Sequence, residues 1–131
     1  ETQPILQRLH CDLVSHCQSA LERRLDTAVA QWDPRPAVGV VLAAGGYPNA
    51  YEKGHTITGL DTPWPATTKV FHAGTQTQDG NIVTHGGRVL CVSALGNTIE
   101  EAIQLAYAGV DHINWQDMIF RQDIGWRAID R

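Results

Sequence analysis

Long apolar runs, clustered basic residues and paired cysteines are all missing from this chain, and each absence removes a class of function. No segment approaches the ~18 consecutive apolar residues of a membrane-spanning helix, so no membrane partner is expected. Ten Lys and Arg stand against fourteen Asp and Glu, a net charge of -4, and Arg23-Arg24 is the only adjacent basic pair. Nucleic acid, which is held by grouped cations on its phosphates, is not an expected partner either. Cys11, Cys17 and Cys91 are odd in number and form no CxxC. They predict small buried side chains in a reducing compartment, the cytoplasm. Glu1-Thr2-Gln3-Pro4 has neither the basic start nor the apolar core of a secretory leader, and no initiator methionine. The chain is therefore expected to begin inside a longer protein.

The motif inventory is equally spare. Neither GxGxxG nor GxxxxGK[ST] occurs, and no GxSxG surrounds a serine, so dinucleotide, P-loop and serine-hydrolase chemistry have no local signature. Gly45-Gly46 follows an apolar run, but Pro48 removes an amide that an anion-binding nest would need, which favours a conformational turn. Cys91 and Ser93, with His72 or His85 as base, make poor nucleophiles because they lie inside an apolar strand. His10-Cys11 and His16-Cys17 invite a metal reading. On one helix His10 and Cys17 would share a face but stand ~10 Å apart along the axis, too far for a single zinc with ~2.0 to 2.3 Å bonds. Polar and core positions of an amphipathic helix explain them better.

What is present describes an α+β domain, mostly antiparallel sheet with flanking helices. After Thr2 and Pro4, apolar residues recur at Ile5, Leu9, Leu13, Cys17, Leu21 and Leu25, widened by Leu6 and Val14, which predicts one amphipathic helix. Gln31-Trp32-Asp33-Pro34-Arg35-Pro36 ends it and marks a boundary, dividing residues 1–33 from 34–131. Ala37 to Ala44 reads as a strand buried on both faces. Loops follow, with a short strand candidate at Thr56 to Thr58. A three-stranded meander is then predicted over Val70–Gln78, Asn81–Thr84 and Arg88–Leu95, its first turn at Asp79-Gly80, a two-residue hairpin signal. Thr98-Ile99-Glu100-Glu101 fits a capping box opening a helix whose apolar face is Ala102, Ile103, Ala106, Tyr107 and Val110. Met118 to Arg127 reads as a closing strand or turn.

Gly86-Gly87-Arg88 leaves two readings open. Glycines at a strand entrance make a tight turn, and they also let backbone approach a ligand beside a guanidinium whose planar donors match phosphate oxygens.

Read together, ETQPI and its following helix, VGVVLAAGGYP, KVFHAGT, VTHGGRVLCVSALG and DIGWRAI, in that order across the whole chain, resemble the C-terminal part of the glycinamide ribonucleotide synthetase (phosphoribosylamine-glycine ligase) family of the ATP-grasp superfamily. The resemblance implies that residues 1–33 are the closing helix of an ATP-grasp domain with its linker. Residues 34–131 would be the C-terminal ligase domain, barrel-sandwich-like with a rudimentary hybrid motif. It implies a carbon-nitrogen ligase of de novo purine (IMP) synthesis that joins 5-phosphoribosylamine to glycine with ATP and Mg2+ or Mn2+. The metal ligands would lie just upstream of Glu1, so this chain would hold neither metal nor ATP, would supply no catalytic residue and would be inactive alone.

Within this chain the resemblance implies that Arg88, with Gly87 and Gly86, meets the phosphate of phosphoribosylamine, and that Glu1, Thr2 and Gln3 lie near the active-site cleft. Some relatives carry a second arginine at the position of Gly87, whose backbone amide would here stand in its place. Lys69, His72, Thr75, Arg121 and Asp123 fall in family-like motifs without an assigned role, packing and ion pairing being the simpler readings. His10, Cys11 and the Asp61–Ala66 loop depart from the family pattern. A separate alternative is a non-catalytic module that pairs with another chain through the apolar stripe of its first helix.

Overall fold

A computed structural model describes residues 2–129 of the chain. It is a mixture of helices and antiparallel sheet: α1 (Thr2–Arg8), α2 (Leu13–Leu21), β1 (Ala37–Ala43), β2 (Thr68–His72), β3 (Thr75–Gln78), β4 (Asn81–Thr84), β5 (Arg88–Leu95) and α3 (Ile99–Val110). One-turn 3-10 helices cover Leu25–Thr27 and Trp126–Ala128. Among the described residues no helix is long and apolar enough to cross a membrane.

The strands form two sheets. β1, β5 and β2 make an antiparallel sheet in that order, and β3 pairs with β4 in a separate hairpin. In the larger sheet Val40, Val92 and Val70 stand side by side, as do Val38, Ala94 and Thr68. Side chains alternate across a strand, so these form one face, and α3 lies on it with Ala102, Ala106 and Val110 in the same core. The small residues of α3 let it sit close: a Cβ on Gly109 would come within 2.7 Å of Val92. The opposite face carries α1, whose Pro4 rests on Gly39 and Cys91. Covered from both sides, β5 is buried at every residue after Arg88, as its largely apolar run requires.

Three local expectations meet the structure closely. β1 and β5 occupy their predicted spans. Asp79 and Gly80 both have positive φ, 49° and 81°, as a type I′ hairpin needs, and they join β3 to β4. Thr98 accepts from the Glu101 amide at 3.2 Å; Glu101 returns its carboxylate to the amide of Asn97 at 2.6 Å, one residue before the cap.

Five expectations are corrected. The long first helix is two helices, because the backbone after Arg8 is taken by a distant segment: His10 N–H donates to Gln31 (2.8 Å) and Asp33 N–H to Arg8 (2.7 Å). Asp12 then caps a new helix, accepting from the Val14 amide at 2.9 Å and the Ser15 hydroxyl at 3.0 Å. With the helix broken, the apolar stripe lies open: Val14 is 62% and Leu21 85% exposed. The cysteines divide, Cys91 buried, Cys11 half-buried and Cys17 exposed on α2. The meander is not continuous, since β5 leaves the hairpin and inserts between β1 and β2. In addition, β1 is not buried throughout, as Val41 opens onto a cleft. Thr56 and Thr58 form only isolated bridges, to Val83 and Asn114.

The crossing of the two N-terminal segments is tied by Asp33, 2% exposed. Its carboxylate accepts from the Arg35 guanidinium, Nη2 at 2.6 Å, and from the Arg35 amide at 2.9 Å, with His10 Nε2 at 3.2 Å. The Arg35 side chain first, then its amide, hold this carboxyl well below the usual carboxylate range. A depressed folded-state pKa stabilises fully above the unfolded value near ~3.9, and the contribution is lost as the pH falls from there toward the folded pKa. Asp33→Asn removes that dependence, so its thermal midpoint should fall less than wild type between pH 5 and pH 2 (about the window in which such a group titrates). Equal slopes would assign acid sensitivity elsewhere.

Candidate functional site

The cleft begins at the entrance to β5. Gly86 and Gly87 carry the chain from the hairpin into the sheet, and backbone hydrogen bonds hold this passage on both sides: Ala44 N–H to Gly87 at 2.8 Å, His85 N–H to Gly74 at 2.7 Å, and Gly74 N–H to Arg88 at 3.0 Å. Neither Gly86 nor Gly87 has a left-handed φ. Their requirement is closeness instead of turning. A Cβ on Gly74 would stand 2.6 Å from the Gly86 Cα, and one on Gly87 would overlap the ring of Tyr47. The passage is not a hairpin turn, since β4 and β5 are not partners; its close contacts are with Gly74 and Tyr47.

Arg88 is thereby placed at the single exposed residue of β5, opposite Ala43 across a register shift between Leu42 and Ala43. Its guanidinium makes no ion pair among the described residues. It opens into a cleft of about 600 Å3 whose wall includes Thr2 and Gln3 at the start of α1, Val41 and Tyr47 around the end of β1, and Gly74 and Gly87. Of the residues singled out in the sequence, Thr2, Gln3, Gly87 and Arg88 come together here although up to 86 positions separate them in the chain. Gly86 does not line the cleft; it is spent against Gly74. Glu1 lies outside the described residues. Across Arg88 a second, more apolar cleft of about 340 Å3 is bounded by Val41, Ala43, Tyr47, Ile119, Phe120 and Arg121.

Of the remaining candidates, Arg121 borders this second cleft and the others lie apart. Lys69 covers the ring of Phe71 at 5.3 Å, His72 Nδ1 is 3.0 Å from the Thr75 hydroxyl, and Arg121 pairs with Asp123 at 2.6 Å. That ion pair raises the arginine further and keeps the aspartate below its ordinary value. Cys91 borders the main cleft but is buried, which pushes its thiol up, and Ser93 is fully buried without a hydrogen-bond partner among the described residues. Neither is a poised nucleophile. Cys11 Sγ lies 2.9 Å from His16 Nε2, while His10 faces Asp33; the broken helix separates the two histidines. Among the described residues no three His, Cys, Asp or Glu side chains converge in a way that fits a metal ion.

Two contributors had no local sequence signal. Gly74 matters only through its contact with Gly86, and Tyr47 only because its loop folds back on Gly87. Behind the cleft, the Tyr107 hydroxyl donates to the Arg121 carbonyl at 2.6 Å and accepts from the Ile124 amide at 3.0 Å, fastening the closing segment to α3.

Comparison with known proteins gives one consistent result. The family profile described as "Phosphoribosylglycinamide synthetase, C domain" matches residues 37–127. The phosphoribosylamine–glycine ligase of Vibrio cholerae is 58% identical over all of this chain, which corresponds to 30% of that protein. The ligase of the same name from Escherichia coli K12 is 53% identical, again over the whole chain and 31% of the relative. A crystal structure of the Thermotoga maritima phosphoribosylamine–glycine ligase superposes with a TM-score of 0.65 at 37% identity, covering 82% of this chain and 27% of that one. The chain thus spans about a third of the length of the curated relatives it matches.

Tyr107→Phe should lower stability by about 1 kcal/mol, the worth of an ordinary hydrogen bond, and speed proteolysis between Arg121 and Arg127. Urea unfolding and limited trypsin digestion check both; unchanged cleavage would show that the segment is held by other contacts.

Proposed function

We propose, because this chain belongs to the phosphoribosylglycinamide synthetase C-domain family, that it builds one wall of the phosphoribosylamine pocket in a phosphoribosylamine–glycine ligase. In the overall reaction glycine's carboxylate attacks the γ-phosphate of ATP, giving glycyl phosphate and ADP. The amine of 5-phosphoribosylamine then attacks the acyl carbon and expels phosphate, leaving glycinamide ribonucleotide for purine synthesis. Such chemistry rests on positioning and charge neutralisation, not on a protein nucleophile.

The observation that carries the reading is the convergence of Thr2, Gln3, Gly87 and Arg88 on one cleft, with an arginine that makes no ion pair among the described residues. Arg88 grips the 5-phosphate, the Gly87 backbone supports it, and the sugar extends toward Thr2 and Gln3, where the acyl donor is delivered. The donor set of the described residues does not suit Mg2+ or Mn2+; those ions and ATP belong to the rest of the polypeptide. On this reading residues 1–33 close an ATP-grasp domain, residues 34–131 form the barrel-sandwich-like C-terminal domain, and the enzyme works in the cytoplasm. The open stripe of α2, Val14 and Leu21 above all, is where the remaining polypeptide packs.

That same stripe supports a second reading, a non-catalytic module that pairs with another chain. The two readings part at Arg88. In the full-length protein Arg88→Ala should lower kcat/KM for phosphoribosylamine by an amount equivalent to about 1.5 to 3 kcal/mol, the scale of a hydrogen bond to a charged group, with ATP and glycine nearly unaffected. A silent substitution would favour the module; equal loss for all three substrates would indicate folding damage. In a companion assay, residues 1–131 alone should form no glycine-dependent ADP, and turnover there would contradict a site completed by other residues.

A further inference from the structure

We propose that Tyr47 gauges the pocket: its ring, seated on the backbone of Gly87, is the wall against which the ribose of phosphoribosylamine lies while Arg88 holds the phosphate. The inference rests on the reading of the cleft given above and adds a residue that reading does not use. Tyr47 borders both clefts that flank Arg88. Its ring fills the space that any side chain at position 87 would need: a Cβ there would overlap Cδ2 and lie 2.7 Å from Cε2. Because Gly87 has no left-handed φ, the ring, with Tyr51 Cε1 at 3.1 Å beyond it, is what demands a glycine.

The ring is also held in place. Tyr51 meets it edge-on with centroids 6.3 Å apart, the Tyr47 amide donates to Ala44 at 3.1 Å, and the Ala44 amide in turn donates to Gly87 at 2.8 Å. A short closed circuit therefore sets the spacing between the phenol and the residue that precedes Arg88. Yet Tyr47 remains 37% exposed. A fixed, open ring beside a guanidinium that makes no ion pair among the described residues suits a small sugar phosphate, which offers an apolar ring face, hydroxyls and an anion together.

The test is steady-state kinetics of the full-length ligase carrying Tyr47→Ala, Gly87→Ala, both, or Tyr47→Phe. Tyr47→Ala and Gly87→Ala should each lower kcat/KM for phosphoribosylamine roughly ten- to a hundredfold through KM, the scale on which misplacing a substrate costs rate, with the KM of ATP and of glycine unchanged. The double variant should be no worse than the poorer single, since the alanine at 87 acts by displacing the ring. Tyr47→Phe, which keeps the wall, should restore most of the loss. Should Tyr47→Ala not fold, Tyr47→Leu keeps apolar volume without the flat ring and carries the same expectation. The proposal is overturned if Tyr47→Ala leaves the phosphoribosylamine KM within about twofold, if the single losses multiply, or if Phe is as damaging as Ala. If Arg88→Ala shifts that KM while the Tyr47 variants do not, only this inference falls; if neither does, the pocket assignment falls with it.

Discussion

Everything in this structure depends on the burial of β5 between β1 and β2. A strand that is apolar on both sides must find a cover for each face, and this one has α3 on one side and α1 on the other. Only its first residue escapes, and that residue is an arginine. Moving the strand by one position would send Val92 from the α3 face to the α1 face and carry Arg88 inward, where an unpaired guanidinium is costly. Hydrophobic register and the location of the charge are therefore one constraint. The cleft exists because the sheet ends there, with the β1 terminus, the Gly74 link and the start of α1 gathered around the strand's mouth.

Local chemistry explains which elements could be read from the amino acids. Arg88–Leu95 is an apolar run opened by two glycines, Asp79-Gly80 has few alternatives to a tight hairpin, and Thr98 with Glu101 satisfies amides that no helix can satisfy by itself. What escaped depends on partners remote in the chain. The periodicity from Ile5 to Leu25 is real, yet it carries no trace of the segment near Gln31 that captures the backbone after Arg8. Likewise nothing in Arg88–Leu95 states that its neighbours begin near residues 37 and 68 in place of the adjacent hairpin.

The candidate site divides along the same line. Arg88 with its glycine entrance was visible as an anion-binding pattern, and resemblance alone drew attention to Thr2 and Gln3; the fold then brings all three to one cleft. Tyr47 was not visible, because an aromatic residue in a Gly-Pro loop has no signature of what it will lean upon. Gly87 lines the cleft, whereas Gly86 lies outside the lining and packs against Gly74. Two neighbouring glycines thus do different jobs, one serving a backbone crossing and the other a side chain.

The crossing of Gly74 and Gly86 has a consequence for how such a protein can change over generations. Most tight contacts join two side chains, so enlarging one is offset by trimming the other, and lineages drift along compensating pairs. Here the obstacle to a Cβ at either position is main chain, the Gly86 Cα and the Arg88 carbonyl against Gly74 and the Gly74 Cα against Gly86. A main-chain atom cannot be trimmed by mutation. Neither position has a compensating partner, and both should stay glycine for as long as the strand mouth keeps its shape, whatever happens to the side chains around them.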